Sequence, residues 1–316
     1  MHMKIGITCG GIGQYASGAF IRASARAAER AGFAHYWMPD HVVQFAAYPE
    51  STYPYAQGSG QDMPQQTADA PLQFDDDTYA NVDPRNPLID PIMGMAWAAA
   101  ATASLEVGTN VLILPQRNPV VLAKELATLD SFSQGRILLG VGVGWAKEEF
   151  DASGADFSVR GKRTDEAIGA LRALWNQPVS SFKGTFDCFT EAYSYPKPTR
   201  CGGVPVLIGG ESKPALRRVA RLGDGWLPYN LPVERAAAVI AELKAMTGDA
   251  GRDPAALRII KIIYSNATLD DLKRYRDAGV TEFNMASSGE LPTDEAGIEG
   301  KFNEWQHRIV GPVRSL

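Results

Sequence analysis

Four stretches of this 316-residue chain carry residue types that can do chemistry. The first is Asp40-His41, directly after the apolar run from His35 to Pro39. An imidazole titrates near neutral pH, so His41 can accept or give a proton. Asp40 either orients that imidazole or anchors the chain beside it. No Ser-His-Asp triad and no hydrolase-like carboxylate pair accompanies them. The second stretch is Ile208-Gly209-Gly210-Glu211-Ser212. Glycine N–H groups ahead of a helix N-terminus suit an anion such as phosphate. Ser212 can cap that helix and also bond a phosphate oxygen. The charge of Glu211 opposes this unless the side chain points away. The third holds Arg160, Lys162 and Arg163 at a helix start, where the helix dipole disfavours cations. They serve a carboxylate or a phosphate, or they are simply solvated. The fourth runs from Gly135 to Trp145 (GRILLGVGVGW), with glycines at 140, 142 and 144. Alternating glycines clear one face of a strand and admit something flat, or another backbone. The run lacks the G-x-G-x-x-G order that opens a helix in a dinucleotide fold.

These stretches need elements to hold them. The run ending at Trp145 is apolar on both faces, as in a parallel sheet covered by helices. Short apolar strands recur at Lys4–Thr8, His35–Pro39, Leu105–Leu114, Arg136–Val143, Val204–Ile208, Gly225–Pro228, Leu257–Tyr264 and Thr281–Ala286. Helical periodicity separates them. It covers Ala19–Ala31, closed by Gly32, and Pro119–Phe132, with Val120, Leu122, Ala123, Leu126 and Leu129 inward. A capping-box pattern, Thr268 to Asp271, opens another helix. Eight βα units predict an α/β fold of the (β/α)8 TIM-barrel type, in one domain spanning residues 1–316. A bare barrel takes roughly 250 residues, so the excess lies in insertions after strands two and four. The first insertion, residues 43–89, has no period. It is rich in aromatics (Phe45, Tyr48, Tyr53, Tyr55, Phe74, Tyr79), unlike simple disorder. It reads as an active-site lid, or else as a surface excursion. The second, residues 178–198, reads as a hairpin.

In such a barrel the active site lies at the C-terminal ends of the strands. Those ends supply Cys9 and Gly10, Asp40 and His41, Asn110 to Leu114, Gly142 to Trp145, Gly209 to Ser212, Tyr229 and Asn230, Ser265 and Asn266, and Ser287 and Ser288.

Bulk properties exclude other classes. The net charge is −5 and no basic block exists, which argues against nucleic acid. The longest apolar run, Ile92 to Leu105, is too short to span a bilayer. Three cysteines without metal spacing, and only four histidines, give no metal site. With no signal peptide, they fit a reduced cytoplasm.

In order, several stretches resemble the luciferase-like flavin- and deazaflavin-dependent oxidoreductases, and above all the branch dependent on coenzyme F420. They are Trp37-Met38-Pro39-Asp40-His41; Leu105 to Val111; Asn118-Pro119 with Leu122-Ala123-Lys124; Ser133 to Trp145; Glu148-Glu149-Phe150; Arg160-Gly161 with Arg163 and Glu166; Ile208-Gly209-Gly210; and Gly223-Asp224-Gly225-Trp226. The resemblance implies a flavin-type ring at the barrel mouth. It implies a bulge in the third strand behind that ring, often with a non-prolyl cis peptide, which maps to Asn110-Val111. It places the cofactor phosphate near Gly209, Gly210 and Ser212, and carries Gly142, Gly144, Trp145, Arg160 and Arg163 into the cofactor site. His41 matches a histidine near the reactive edge of the deazaflavin, with Asp40 beside it. Relatives that oxidise sugar phosphates carry an acidic residue where Trp145 stands, which argues against that substrate class here. An apolar or aromatic organic substrate is expected instead. Three activities follow as expectations. One is hydride transfer between F420 and that substrate. Another is an FMN-dependent monooxygenase fed by a separate reductase. The third is a non-catalytic barrel that binds no flavin. Members of the family often form homodimers.

Overall fold

The computed structural model describes residues 3–51, 84–287 and 290–316. Tyr53, Tyr55, Phe74 and Tyr79 of the expected lid, and Ser288, lie outside the described residues. The first βα units are β1 (Lys4–Thr8), α1 (Gly18–Ala31), β2 (His35–Met38) and α2 (Pro91–Ala101). Next come β3 (Glu106–Thr109), β4 (Leu112–Ile113), α3 (Pro119–Phe132), β5 (Ile137–Gly142), α4 (Lys147–Ser153) and α5 (Arg160–Asn176). A two-stranded excursion, β6 (Ser180–Lys183) and β7 (Cys188–Ala192), precedes β8 (Val206–Gly209), α6 (Lys213–Leu222), β9 (Gly225–Leu227) and α7 (Val233–Asp249). The chain ends with β10 (Arg258–Tyr264), α8 (Leu269–Asp277), β11 (Glu282–Ala286), α9 (Glu295–Trp305) and α10 (Gly311–Arg314).

Local chemistry sets the helix limits. Ser17, Asp90, Asn118 and Ser212 cap their helices with side-chain oxygens. Gly32 ends α1 in the left-handed region at φ 83°, which glycine adopts freely. Thr268 and Asp271 form the expected reciprocal capping box of α8. One inward residue was misjudged. Val120 of α3 is exposed although the helix has the expected bounds, because two residues, about 200° of helical turn, separate it from the inward-facing Leu122.

The parallel sheet runs β3-β2-β1-β11-β10-β9-β8-β5-β4, and a β3–β5 pairing closes it into a barrel. The third barrel strand is not continuous. β3 pairs Gly108 with Leu138 of β5, and β4 pairs Leu112 with Val141. Three residues (109–111) therefore stand opposite two (139–140). The extra residue is a bulge, and the Asn110-Val111 peptide within it is cis. The bulge turns Val111 toward the barrel axis, against an interior layer of Trp37, Leu138, Leu207, Leu227 and Ile260.

Beneath that layer the barrel floor is ionic. Arg258 Nε donates to Glu282 Oε1 at 2.6 Å, and Arg258 Nη2 donates to Glu106 Oε2 at 3.0 Å. His35 Nε2 meets Glu282 Oε2 at 3.0 Å, and Trp37 Nε1 donates to His35 Nδ1 at 2.8 Å. Every buried polar group of this floor has a partner, as burial requires. The larger apolar core lies between the sheet and the helices and includes Phe283, Phe302 and Trp305. No helix among the described residues is long and apolar enough to cross a membrane.

Candidate active site

The two-residue repeat of a strand decides what faces the mouth. On β10, Arg258 and Ile260 face the axis, so Ile262 and Tyr264 face it higher up. On β9, Leu227 faces inward; Tyr229 lies two residues beyond the strand, and its hydroxyl oxygen is 3.3 Å from that of Tyr264. On β11, Glu282 faces inward and so does Asn284, whose Nδ2 donates to Thr8 Oγ1 of β1 at 2.9 Å. This side of the mouth carries polar tips. The adjoining arc of the barrel, on β8 and β5, carries glycines.

Those glycines make room for the bulge. A Cβ at Gly140 would lie 2.0 Å from the Thr109 carbonyl oxygen. One at Gly142 would lie 2.7 Å from Val111 Cγ2, and one at Gly209 would lie 3.1 Å from Val111 Cγ1. Val111 thus sits between two glycines, and the bulge becomes a smooth apolar wall. Of the two readings left open by the alternating glycines, close approach of another backbone holds at Gly140. Gly144 has φ 78° and abuts the Phe150 ring and Ile113.

His41 stands at the rim with a partner that sequence reasoning did not single out. Its Nδ1 lies 3.0 Å from Glu149 Oε2, and Glu149 Oε1 accepts the Val42 N–H at 2.5 Å. The Glu149 side chain is 1% exposed and that of His41 is 27% exposed. Glu149 belongs to the first turn of α4, where the helix dipole favours a negative charge. Its only trace in the sequence is the Glu148-Glu149-Phe150 run. The His41 ring also stands edge-on to Trp145, at 6.1 Å between centroids, and Tyr48 packs on the other part of Trp145 at 4.9 Å. The start of the long insertion is tied to the same loop. Ser51 Oγ donates to Glu148 Oε2 at 2.5 Å, and the Glu50 N–H donates to Glu148 Oε1 at 2.8 Å.

Asp40 does not touch the imidazole. Its Oδ2 accepts the Ile113 N–H at 2.9 Å, and its Oδ1 pairs with Arg117 Nη2 at 2.8 Å. Of its two expected roles, anchoring is the one present: it ties the end of β2 to β4, just beyond the bulge. Burial pushes its carboxyl up, against the pull of Arg117 and the Ile113 N–H.

The cationic helix start divides. Arg160 donates to the carbonyl oxygens of Gly144, at 3.3 Å, and Phe157, at 3.0 Å, and lies over the Phe157 ring at 3.8 Å. It fastens α5 to the loop after β5, and burial lowers its pKa. Arg163 lies near the carboxylates of Glu166 and Asp187, on the side of the hairpin. Lys162 is exposed.

At the glycine turn after β8, Gly210 has φ 97° and its carbonyl accepts Trp226 Nε1 at 2.8 Å. Ser212 caps α6 through the Ala215 N–H at 3.3 Å, and the first turn of α6 holds no acidic residue. Glu211 is turned to the next loop, where Oε1 accepts the N–H groups of Tyr229 and Asn230. The charge that stood against an anion here is therefore engaged elsewhere. Among the described residues no cluster of three metal-ligating side chains occurs. Cys9 is buried, and burial pushes its thiol up to about 12, so it is no nucleophile.

Comparison with known proteins fits this geometry. The luciferase-like monooxygenase family model matches residues 72–295. An uncharacterized protein of Mycobacterium tuberculosis is 31% identical over 267 residues, covering 82% of this chain and 84% of that one. The FMNH2-dependent dimethylsulfone monooxygenase of Pseudomonas putida is 35% identical over 149 residues, 46% of this chain and 41% of that one. Among solved structures, an F420-dependent secondary alcohol dehydrogenase bound to an F420-acetone adduct superposes with a TM-score of 0.74 at 18% identity, over 99% of each chain. The chain belongs to the luciferase-like monooxygenase family, whose members are oxidoreductases built on this (β/α)8 barrel.

Proposed function

We propose that this barrel binds the deazaflavin F420 and catalyses hydride transfer between it and an apolar or aromatic organic substrate. The observation that carries the reading is the arrangement of His41 and the bulge at one mouth. A histidine fixed by a buried glutamate stands at the same rim as the smooth Val111 wall. The residues present suit the cofactor. Val111, Gly142 and Gly209 offer a flat apolar backing for a ring. Gly209, Gly210, Ser212 and the acid-free start of α6 suit its phosphate, with Glu211 facing away. Gly144 and Trp145, with Arg160 behind them, form the loop beside it.

When bound, F420 supplies the hydride chemistry; the protein supplies position and a dry site. Glu149 accepts from Nδ1–H of His41 and so leaves the Nε2 lone pair available. His41 Nε2 takes the hydroxyl proton when an alcohol is oxidised, or returns one when a carbonyl is reduced. Trp145 and Tyr48 wall the pocket and exclude water. Asp40 and Arg117 hold the strand end that carries the bulge.

The alternative is an FMN-dependent monooxygenase served by a separate reductase. The partial identity to the dimethylsulfone enzyme favours it. A non-catalytic barrel is the third reading. Fluorescence titration of the purified protein with F420 and, separately, with FMN decides between them. Tight binding of F420 alone supports the proposal. Tight binding of FMN alone selects the monooxygenase, and binding of neither removes both.

A further inference from the structure

Helix α4 has seven residues, and its N-cap position is Ala146, which has no side-chain oxygen to offer. The first N–H groups of a helix need partners from outside it. For Lys147 that partner comes from 96 residues earlier in the chain: Ser51 Oγ accepts the Lys147 N–H at 2.6 Å. Ser51 is buried, and its own O–H returns to the helix, to Glu148 Oε2 at 2.5 Å. Glu148 Oε1 accepts the Glu50 N–H at 2.8 Å. Within one segment such a reciprocal exchange is a capping box. Here the serine is supplied by the start of the long insertion.

The next residue of the same turn repeats the pattern. Glu149 takes one backbone N–H and one side chain, from Val42 and His41. Two adjacent glutamates thus pin the two ends of segment 41–51. Between the pins the Tyr48 hydroxyl accepts the Phe45 N–H at 3.1 Å, and the Tyr48 ring packs on Trp145. Lys147 Nζ adds a bridge to Glu50 Oε2 at 2.9 Å. The far end of α4 is anchored separately, by Phe150 in a cluster with Ile113 and Ala155 and by Gly154 at φ 70°. The near end, which carries Glu149, is held by Ser51.

We infer that Ser51 and Glu148 are positioning residues for His41: by capping α4 from the start of the insertion, they fix the Glu149 carboxylate that holds the imidazole. The inference rests on the reading of His41 as the proton-handling group. Both residues act through Glu149 and not on the ring itself, and neither gains or loses a proton. What they set is the direction of His41 Nε2. Segment 41–51 and the first turn of α4 then form one unit, and loosening it at position 51 loosens the ring ten residues away.

The test uses the full chain, as wild type, S51A, S51T and E148Q. Two signals report on the site without turnover. One is hydrogen exchange of the Val42 amide, which is bonded to Glu149. The other is the hydrogen-bonded Nδ1–H proton resonance of His41, assigned by its loss in H41A. Exchange of the Phe283 amide, in the core strand β11, reports global stability. S51A is expected to speed Val42 exchange about tenfold, the scale of a lost cap and its hydrogen bonds. It should also weaken the Nδ1–H signal and leave Phe283 unchanged. S51T keeps the hydroxyl and should restore both signals. E148Q loses one acceptor and should move the same signals the same way, which carries the test if S51A fails to fold. Unmoved signals at Val42 and His41, or an equal change at Phe283, overturn the inference. With F420 bound and turning over, kcat of S51A should fall about fivefold with KM nearly unchanged; an equal kcat overturns it as well. Absence of F420 binding overturns the hydride-transfer proposal and leaves the two signals readable.

Discussion

Adding one methyl group at Gly142 tests the packing around the bulge. The new Cβ of G142A would stand 2.7 Å from Val111 Cγ2. Carbon atoms pack best at about 3.5–4.0 Å, so the overlap is close to 1 Å. The other methyl of Val111 faces Gly209, which has no side chain, so Val111 can give by only a few tenths of an ångström before it meets that backbone, less than the overlap. The backbone at 142 has no positive φ, so alanine meets only this steric cost. Overpacking of this kind destabilises by about 1–3 kcal/mol. V111A removes both methyls and costs about 2 kcal/mol by leaving a void. In the double variant the alanine at 142 fills part of that void. G142A/V111A should therefore be no less stable than V111A alone, a favourable coupling of at least about 1 kcal/mol. Urea denaturation of the four proteins measures it. F420 titration of the same set reads the wall itself, and G142A should bind about tenfold more weakly if the wall backs the ring. Strict additivity of the two stability losses would refute the wedged-valine account.

Other outcomes are equally specific. H41A should lower turnover by about 100-fold or more and leave cofactor affinity nearly unchanged; equal turnover in wild type and variant removes His41 from proton handling. E149Q keeps the shape but loses the charge facing His41 and should lower kcat by about tenfold. Intact kcat would mean that the His41–Glu149 bond is only structural. At the floor, burial would raise the Glu282 carboxyl, but His35 and Arg258 outweigh it and hold it far below the usual value of 4.5. The folded value is depressed, so this stabilisation is complete above about pH 4.5 and is lost as pH falls below it. E282Q should thus cost about 3 kcal/mol at neutral pH and soften the acid limb of the stability curve. Parallel acid limbs for the two proteins would contradict it.

Much of the barrel was legible because each strand is a short apolar run and each helix has its own cap and period. The bulge was not. Val-Gly-Thr-Asn-Val-Leu-Ile-Leu reads as one unbroken strand, and only pairing to β5 shows three residues set against two. That slip changes the phase of the strand, which no local property of Asn110 or Val111 reveals. The glycines at 140 and 142 were visible as gaps, but what fills them comes from a neighbouring strand 31 residues away in the chain. His41 could be found by its place after β2. Its partner could not, because Glu149 looks like any exposed glutamate in a charged first turn until α4 turns it inward. Asp40 shows the reverse: adjacency to His41 suggested a pair, yet alternation along the strand sends the two side chains different ways. Tyr229 was visible as a strand end, and its meeting with Tyr264 was not.

The sealed floor has a kinetic consequence. Trp37, Leu138, Leu207, Leu227 and Ile260 close the barrel above the ionic layer, each at most 2% exposed. Such a vessel has one doorway, and everything that enters must leave through it. An occupant lying against the bulge is reached only past whatever arrives after it. Steady-state kinetics should then show compulsory order, with the cofactor first in and last out, and with excess second reactant trapping the spent cofactor inside.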